Sequence, residues 1–171
     1  MKRFLQCVII SLAISLFTGC GRIPEPESRP GQDQRNERSA HAYYAAEWLN
    51  SDVPQTMIAG TQTTIYVNAR NVGDWVWPNP PAANPSRRDG RYAVRLCYQW
   101  ATADGQLFPR NSTRGDLKLS VAPGEVAEFA IDVEVPENRG SYELHLDLVE
   151  ELVTFFSAKR SEKLIVPVSV Q

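Results

Sequence analysis

The eleven residues Glu125 to Val135, EVAEFAIDVEV, leave few ways to fold. Ala127, Phe129, Ile131, Val133 and Val135 fall on one side of an extended chain, and Glu128, Asp132 and Glu134 on the other. A period of two marks a half-buried strand. The pattern recurs. Thr63, Ile65, Val67 and Ala69 oppose Thr64, Tyr66 and Asn68, while Val94, Leu96, Tyr98 and Trp100 oppose Ala93, Arg95, Cys97 and Gln99. Tyr142, Leu144, Leu146 and Leu148 form another apolar face, as do Leu164, Val166, Val168 and Val170. Each large inward side chain contributes about 1.5–3 kcal/mol when fully buried. A one-residue slip turns the whole set outward, so register is strongly specified.

Turn chemistry separates these runs. Ala103-Asp104-Gly105 reads as a hairpin, Ala122-Pro123-Gly124-Glu125 as a tight turn, and Pro136 to Gly140 as a loop. Many short strands without a long helical pattern predict an all-β fold, an antiparallel β-sandwich. Two stretches, HAYYAAEWLNSD from His41 and VEELVTFFSAKR from Val149, fit either a strand or a short helix, and a strand is preferred in both. Trp100 belongs to the core.

At 171 residues and 43% hydrophobic, the chain holds one domain plus extra segments. A net charge of -2, dispersed along the sequence, gives no footprint for nucleic acid. Cys7, Cys20 and Cys97 match neither a zinc-site spacing nor a disulfide framework.

The N-terminus reads as an address. Lys2 and Arg3 precede an apolar run from Cys7 to Phe17, then Thr18, Gly19 and Cys20. The run falls well short of the roughly 20 residues that a membrane-spanning helix needs. Leu16-Phe17-Thr18-Gly19-Cys20 resembles the lipobox of bacterial lipoproteins, with Phe17 where Leu is commoner. The resemblance implies cleavage after residue 19 and acylation of Cys20, which makes the membrane a partner. Because Gly21 is not Asp, it also implies the outer membrane in a didermal cell. Residues 20–40, rich in Pro, Glu, Arg, Gln and Ser, bury too little surface to offset their ordering entropy and read as a disordered linker. Residues 41–171 form the domain.

Within that domain, several short motifs occur in order: Ala59-Gly60, Asn71-x-Gly73-x-x-x-Trp77, Tyr98-x-Trp100, Ala122-Pro-Gly-Glu125 and Gly140-x-Tyr142-x-Leu144. From Ala42 to Val170 the series resembles a bacterial form of the four-tryptophan immunoglobulin-like domains. It departs from them at Val153 to Phe156, where a Trp-Phe pair is frequent. The resemblance implies an immunoglobulin-like sandwich used for binding rather than catalysis. Such domains serve as accessory modules of cell-surface or glycan-processing proteins and as protein-interaction domains.

Candidate sites follow from residue chemistry. Trp75 and Trp77, two apart and so expected to point the same way from one strand, are followed by Pro78, Pro80 and Pro81, and either close the end of the core or offer rings to a sugar. Arg87, Arg88 and Arg91, beside Asp89, form a solvated loop or a site for an anionic glycan or phospholipid headgroup. Catalytic groups are sparse. His41 and His145 lack a triad or metal motif, the Glu143-His145-Asp147 face reads as charged surface, and Glu150-Glu151 as a solvated pair. Cys97 reads as structural, and the Asn111 sequon carries little in a bacterial lipoprotein. No catalytic residue, metal or cofactor is expected. The expected role is a lipid-anchored, non-catalytic envelope protein whose partner is an envelope protein or a glycan.

Overall fold

The computed structural model describes residues 42–83, 92–110 and 113–171. The signal segment, Cys20, the linker and the Arg87, Arg88 and Arg91 cluster lie outside the described residues.

Among the described residues nine strands carry the domain: β1 (Ala46–Ser51), β2 (Thr56–Met57), β3 (Gln62–Asn71), β4 (Val94–Thr102), β5 (Gly115–Asp116), β6 (Val126–Glu134), β7 (Gly140–Glu150), β8 (Thr154–Phe155) and β9 (Leu164–Val170). Among the described residues the helical pieces include Ala42 and Tyr43 at the start, α1 (Pro80–Ala83) and the 3-10 turn η1 (Phe156–Lys159). One sheet runs β1-β3-β6 and the other β2-β9-β7-β4-β5, with β8 added to β7. Every pairing is antiparallel except β2 on β9, which is parallel. Having left the first sheet at Ser51, the chain crosses at Val53-Pro54 and joins the far edge of the second, where Ser169 N donates to Gln55 O at 2.8 Å. Two facing sheets with this connectivity make an immunoglobulin-like β-sandwich.

The apolar faces read from the sequence meet between the sheets. Opposite one another on β3 and β6 stand Ile65 and Ile131, Val67 and Phe129, and Ala69 and Ala127, all buried. On β4 and β7 the same holds for Leu96 and Leu148, Tyr98 and Leu146, and Trp100 and Leu144. The Ala122–Glu125 turn closes with Glu125 N on Ala122 O at 3.0 Å, and Gly124 adopts the positive φ of 85° that this turn demands.

The structure departs from the sequence reading at several points, beginning with Ala42 and Tyr43, which are helical where a strand is preferred. On β4 the second face is also buried, Cys97, Gln99 and Ala101 included, because the hairpin at 103–105 folds the chain back and Phe108 N bonds Trp100 O. The strand expected after Val153 lasts two residues before η1 begins, and the Asp147 carboxylate accepts from the Ser157 N–H of that turn. Nor do Trp75 and Trp77 share a strand: Trp77 makes an isolated bridge to Val121, and Trp75 lies in the bend before it.

Candidate functional site

The sandwich has two dissimilar ends. At the first, β3 and β7 finish and the described chain begins. Asn71 is fully buried and organises the loop there. Its amide nitrogen donates to Trp75 O (2.7 Å) and Val121 O (3.1 Å), and its Oδ1 accepts from Gly73 N (3.0 Å). Gly73 is the seat of the incoming segment, since a Cβ there would stand 2.7 Å from Tyr43 O. That close approach stacks Tyr43 on Trp75, with ring centroids 4.3 Å apart and planes 6° from parallel. Tyr44 meets Phe156 edge-on at 5.2 Å, and Trp77 meets the same ring at 5.6 Å. Trp77 is 0% exposed and has no face free for a ligand, whereas Trp75 is half-buried beneath Tyr43.

Glu150 lies under this aromatic cluster. It is only 8% exposed and accepts from Tyr44 OH at 2.6 Å. Burial first, and then the bond to Glu150, raise the Tyr44 phenol well above its ordinary range. The expectation of a solvated Glu150-Glu151 pair is therefore corrected. Successive strand residues point to opposite faces, so Glu150 enters the core while Glu151 turns to Arg114 Nε at 2.7 Å.

At the second end, where β3 and β7 begin, lies an open cleft of about 750 Å³. It is lined by Gly60–Gln62, Tyr98–Trp100, Phe108–Arg110, Glu134–Asn138 and Tyr142. Its floor is aromatic: Trp100 meets Tyr142 edge-on at 6.1 Å, and Phe108 leans on Tyr142 at 5.9 Å. Hydrogen bonds from the lining residues hold its rims. Trp100 Nε1 donates to Glu134 O (2.8 Å), and Tyr98 OH accepts from Glu134 N (2.9 Å). Gln99 Nε2 donates to Phe108 O (2.6 Å), and Tyr142 OH donates to Asn138 O (2.9 Å). Two backbone bonds, Gly60 N to Pro136 O and Val135 N to Thr61 O, join the remaining rim. The concavity is thus largely pre-formed, as small-molecule sites generally are.

Beside the cleft, Arg110 is positioned by its neighbours. Its guanidinium carbon stands 3.8 Å from the centre of the Phe155 ring, and Nη1 is 3.8 Å from Asp147 Oδ2. Asp147 is 2% exposed and is engaged by Ser157, whose hydroxyl donates to Oδ2 at 2.6 Å. Burial pushes its carboxyl above the usual carboxylate range, against the opposing effect of the Ser157 bonds. The face read as a charged surface is therefore partly interior. His145 pairs with Glu143 at 2.9 Å, while Asp147 turns to η1. Cys97 is buried behind them and donates from sulfur to Asp147 O, and desolvation pushes its thiol up to about 12. Such a thiol has little thiolate character.

Sequence reasoning missed the cleft residues Phe108 and Arg110. The available signal was Leu107-Phe108-Pro109, apolar residues that follow a hairpin turn and have no strand to belong to. Tyr44 and Glu150, 106 positions apart, gave no such signal.

This end-to-end organisation defines the molecule as an immunoglobulin-like sandwich with one sealed end and one open end. No family model matches the chain, and no curated protein matches it. Solved structures do resemble it. A CARDB domain from Pyrococcus furiosus, solved in complex with di-metal ions, is 14% identical, with 75% of this chain and 91% of that one covered and a TM-score of 0.42. The C-terminal domain of wzt is 14% identical, with 74% of each chain covered and a TM-score of 0.45. The Lin-41 filamin domain is 16% identical over 76% of this chain and 94% of that one, at a TM-score of 0.32.

Proposed function

We propose that this chain is a lipid-anchored, non-catalytic binding domain of a bacterial cell envelope, a scaffold that joins the membrane to another envelope component. The observation that carries the reading is the opposition of the two ends. The chain joins the domain at Ala42, where Asp74 N donates to Ala42 O, while the cleft lies at the far end of β7. Eleven extended residues of β7 separate the ends by about 35 Å. A tether of residues 21–41 reaches at most roughly 70 Å from Cys20, so the domain is held near the membrane and the cleft, at the end opposite the tether, stays open to a partner.

The non-catalytic part of the reading is supported by the use made of ionisable groups. Glu150, Asp147 and Cys97 are buried in hydrogen bonds that shape the fold, and Arg114 and Glu151 pair with each other. Among the described residues no helix is long and apolar enough to cross a membrane; in this reading the lipobox cysteine, Cys20, is the point of anchoring. More than one acyl chain is needed for stable attachment, as modification of both the thiol and the new N-terminus provides.

The test is metabolic labelling with a palmitate analogue, together with membrane fractionation of the wild-type chain and Cys20→Ser. Label and sedimentation with membranes that both disappear in Cys20→Ser are expected. Equal partition of the two proteins contradicts the anchor.

A further inference from the structure

We infer that the cleft between Trp100, Phe108, Arg110 and Glu134–Asn138 binds a neutral saccharide chain. This rests on the non-catalytic binding reading above and names the ligand class of that site. Three observations carry it.

The first is charge. The lining brings one cation, Arg110, together with one carboxylate, Glu137, while Glu134 contributes its backbone and carries its side chain on the exposed face of β6. An anionic ligand meets a like charge at Glu137, and a cationic one meets the guanidinium. A ligand that both donates and accepts through hydroxyl groups satisfies the whole set, including the Gln62 and Asn138 amides. Arg110 keeps donor capacity for this, because its contact with Asp147 is 3.8 Å long and Ser157 already occupies both oxygens of that carboxylate.

The second is the aromatic surface. Phe108 is 37% exposed at the cleft mouth, with its backbone fixed by Gln99 and by Trp100 O. Its ring therefore offers a partly exposed apolar face against which the C–H face of a pyranose can pack, while Trp100 and Tyr142 close the floor beneath. The third is rigidity. A hydroxyl-rich ligand loses strong hydration on binding, so the site must not also have to order itself. Here the hydrogen bonds from Tyr98, Gln99, Trp100 and Tyr142 hold the rims in place before any ligand arrives.

The experiment titrates the full chain, in detergent, with neutral pentasaccharides of glucose and of N-acetylglucosamine and with the neutral polysaccharide fraction of the source envelope. Binding is read by calorimetry and by intrinsic tryptophan fluorescence. Phe108→Ala and Asn138→Ala are compared with Tyr66→Ala, a control on the exposed face of the other sheet that is itself 60% exposed. Saturable binding of at least one probe is expected, with about tenfold weaker affinity in Phe108→Ala, at the upper end of what one aromatic contact supplies. Asn138→Ala should lose less, and Tyr66→Ala nothing. No saturable binding up to roughly 5 mM, an affinity below any useful range, overturns the inference. So does equal loss in Tyr66→Ala, or, with acidic and basic peptides titrated in parallel, binding of those peptides alone. Loss of membrane attachment in Cys20→Ser with glycan binding retained leaves this inference standing. Attachment without glycan binding removes this inference and leaves the anchor.

Discussion

The two ends of this sandwich are built from similar residues and do different things. Each gathers tyrosine, tryptophan and phenylalanine at the mouth between the sheets. At the chain-entrance end, rings face rings, and the space is filled: Tyr43 covers Trp75, while Tyr44 and Trp77 both abut Phe156. At the other end Tyr98 and Trp100 point their polar atoms at the last residue of β6 and Tyr142 at the loop after it, and a cleft is left beside the backbone they hold. The indole nitrogens record the difference. Trp100 Nε1 is bonded to Glu134 O, whereas those of Trp75 and Trp77 are buried without an acceptor among the described residues. Aromatic composition alone therefore does not locate a binding site. What matters is whether the rings fill the space between the sheets or brace an opening.

This contrast can be broken most forcefully at Trp77. Its replacement by alanine leaves a void at the sealed end and should cost about 3–5 kcal/mol, a large part of a domain's stability, as measured by urea denaturation. A variant as stable as the parent would mean that this end is not sealed by packing. A smaller loss, about 1–3 kcal/mol, is expected for Tyr44→Phe, which strips the buried Glu150 of its hydrogen-bond donor. A stability unchanged in Tyr44→Phe would place Glu150 in solvent.

How far was this division legible beforehand? The strands were, because period-two alternation on β3, β6 and β7 has one physical solution, and the Asn71-Gly73-Trp77 and Tyr98-Trp100 motifs lie at opposite ends of it. Trp75 and Trp77 fit both a plug and a platform in sequence, since nothing local says that Tyr43 will stack on Trp75. That contact depends on Gly73 admitting the Tyr43 backbone. Asp147 was misjudged for a related reason. Alternation places it on the outer face of β7, but alternation cannot tell that η1 and Arg110 will close over that face. The cleft is a product of loops, and loops carry no periodicity.

The buried carboxylate beside the cleft offers a pH test. Asp147 has its folded pKa raised above the ordinary 3.8 by burial. Between that value and the raised one, the folded state holds more protons than the unfolded chain, so this group's contribution to stability is present at low pH and is lost as pH rises through the folded pKa. Subtracting the profile of Asp147→Asn from that of the wild type should leave a difference that declines over this window. A flat difference, or a rising one, would mean that Asp147 is not buried as described. The smallest effect is expected at Phe108. Its alanine variant should lose about 1 kcal/mol, the worth of one aromatic pair, because the ring rests on Tyr142 without being enclosed. A loss as large as that of Trp77→Ala would erase the distinction between the ends.

The most direct test of that distinction uses photo-activated cross-linking amino acids, introduced singly at Glu137 on the cleft rim and at Asp74 beside Trp75, in cells carrying the full chain. Both positions are exposed. Adducts with an envelope component from position 137, and none from position 74, are the predicted result. Adducts from position 74 with none from position 137 would contradict it and move the binding surface to the tryptophan end.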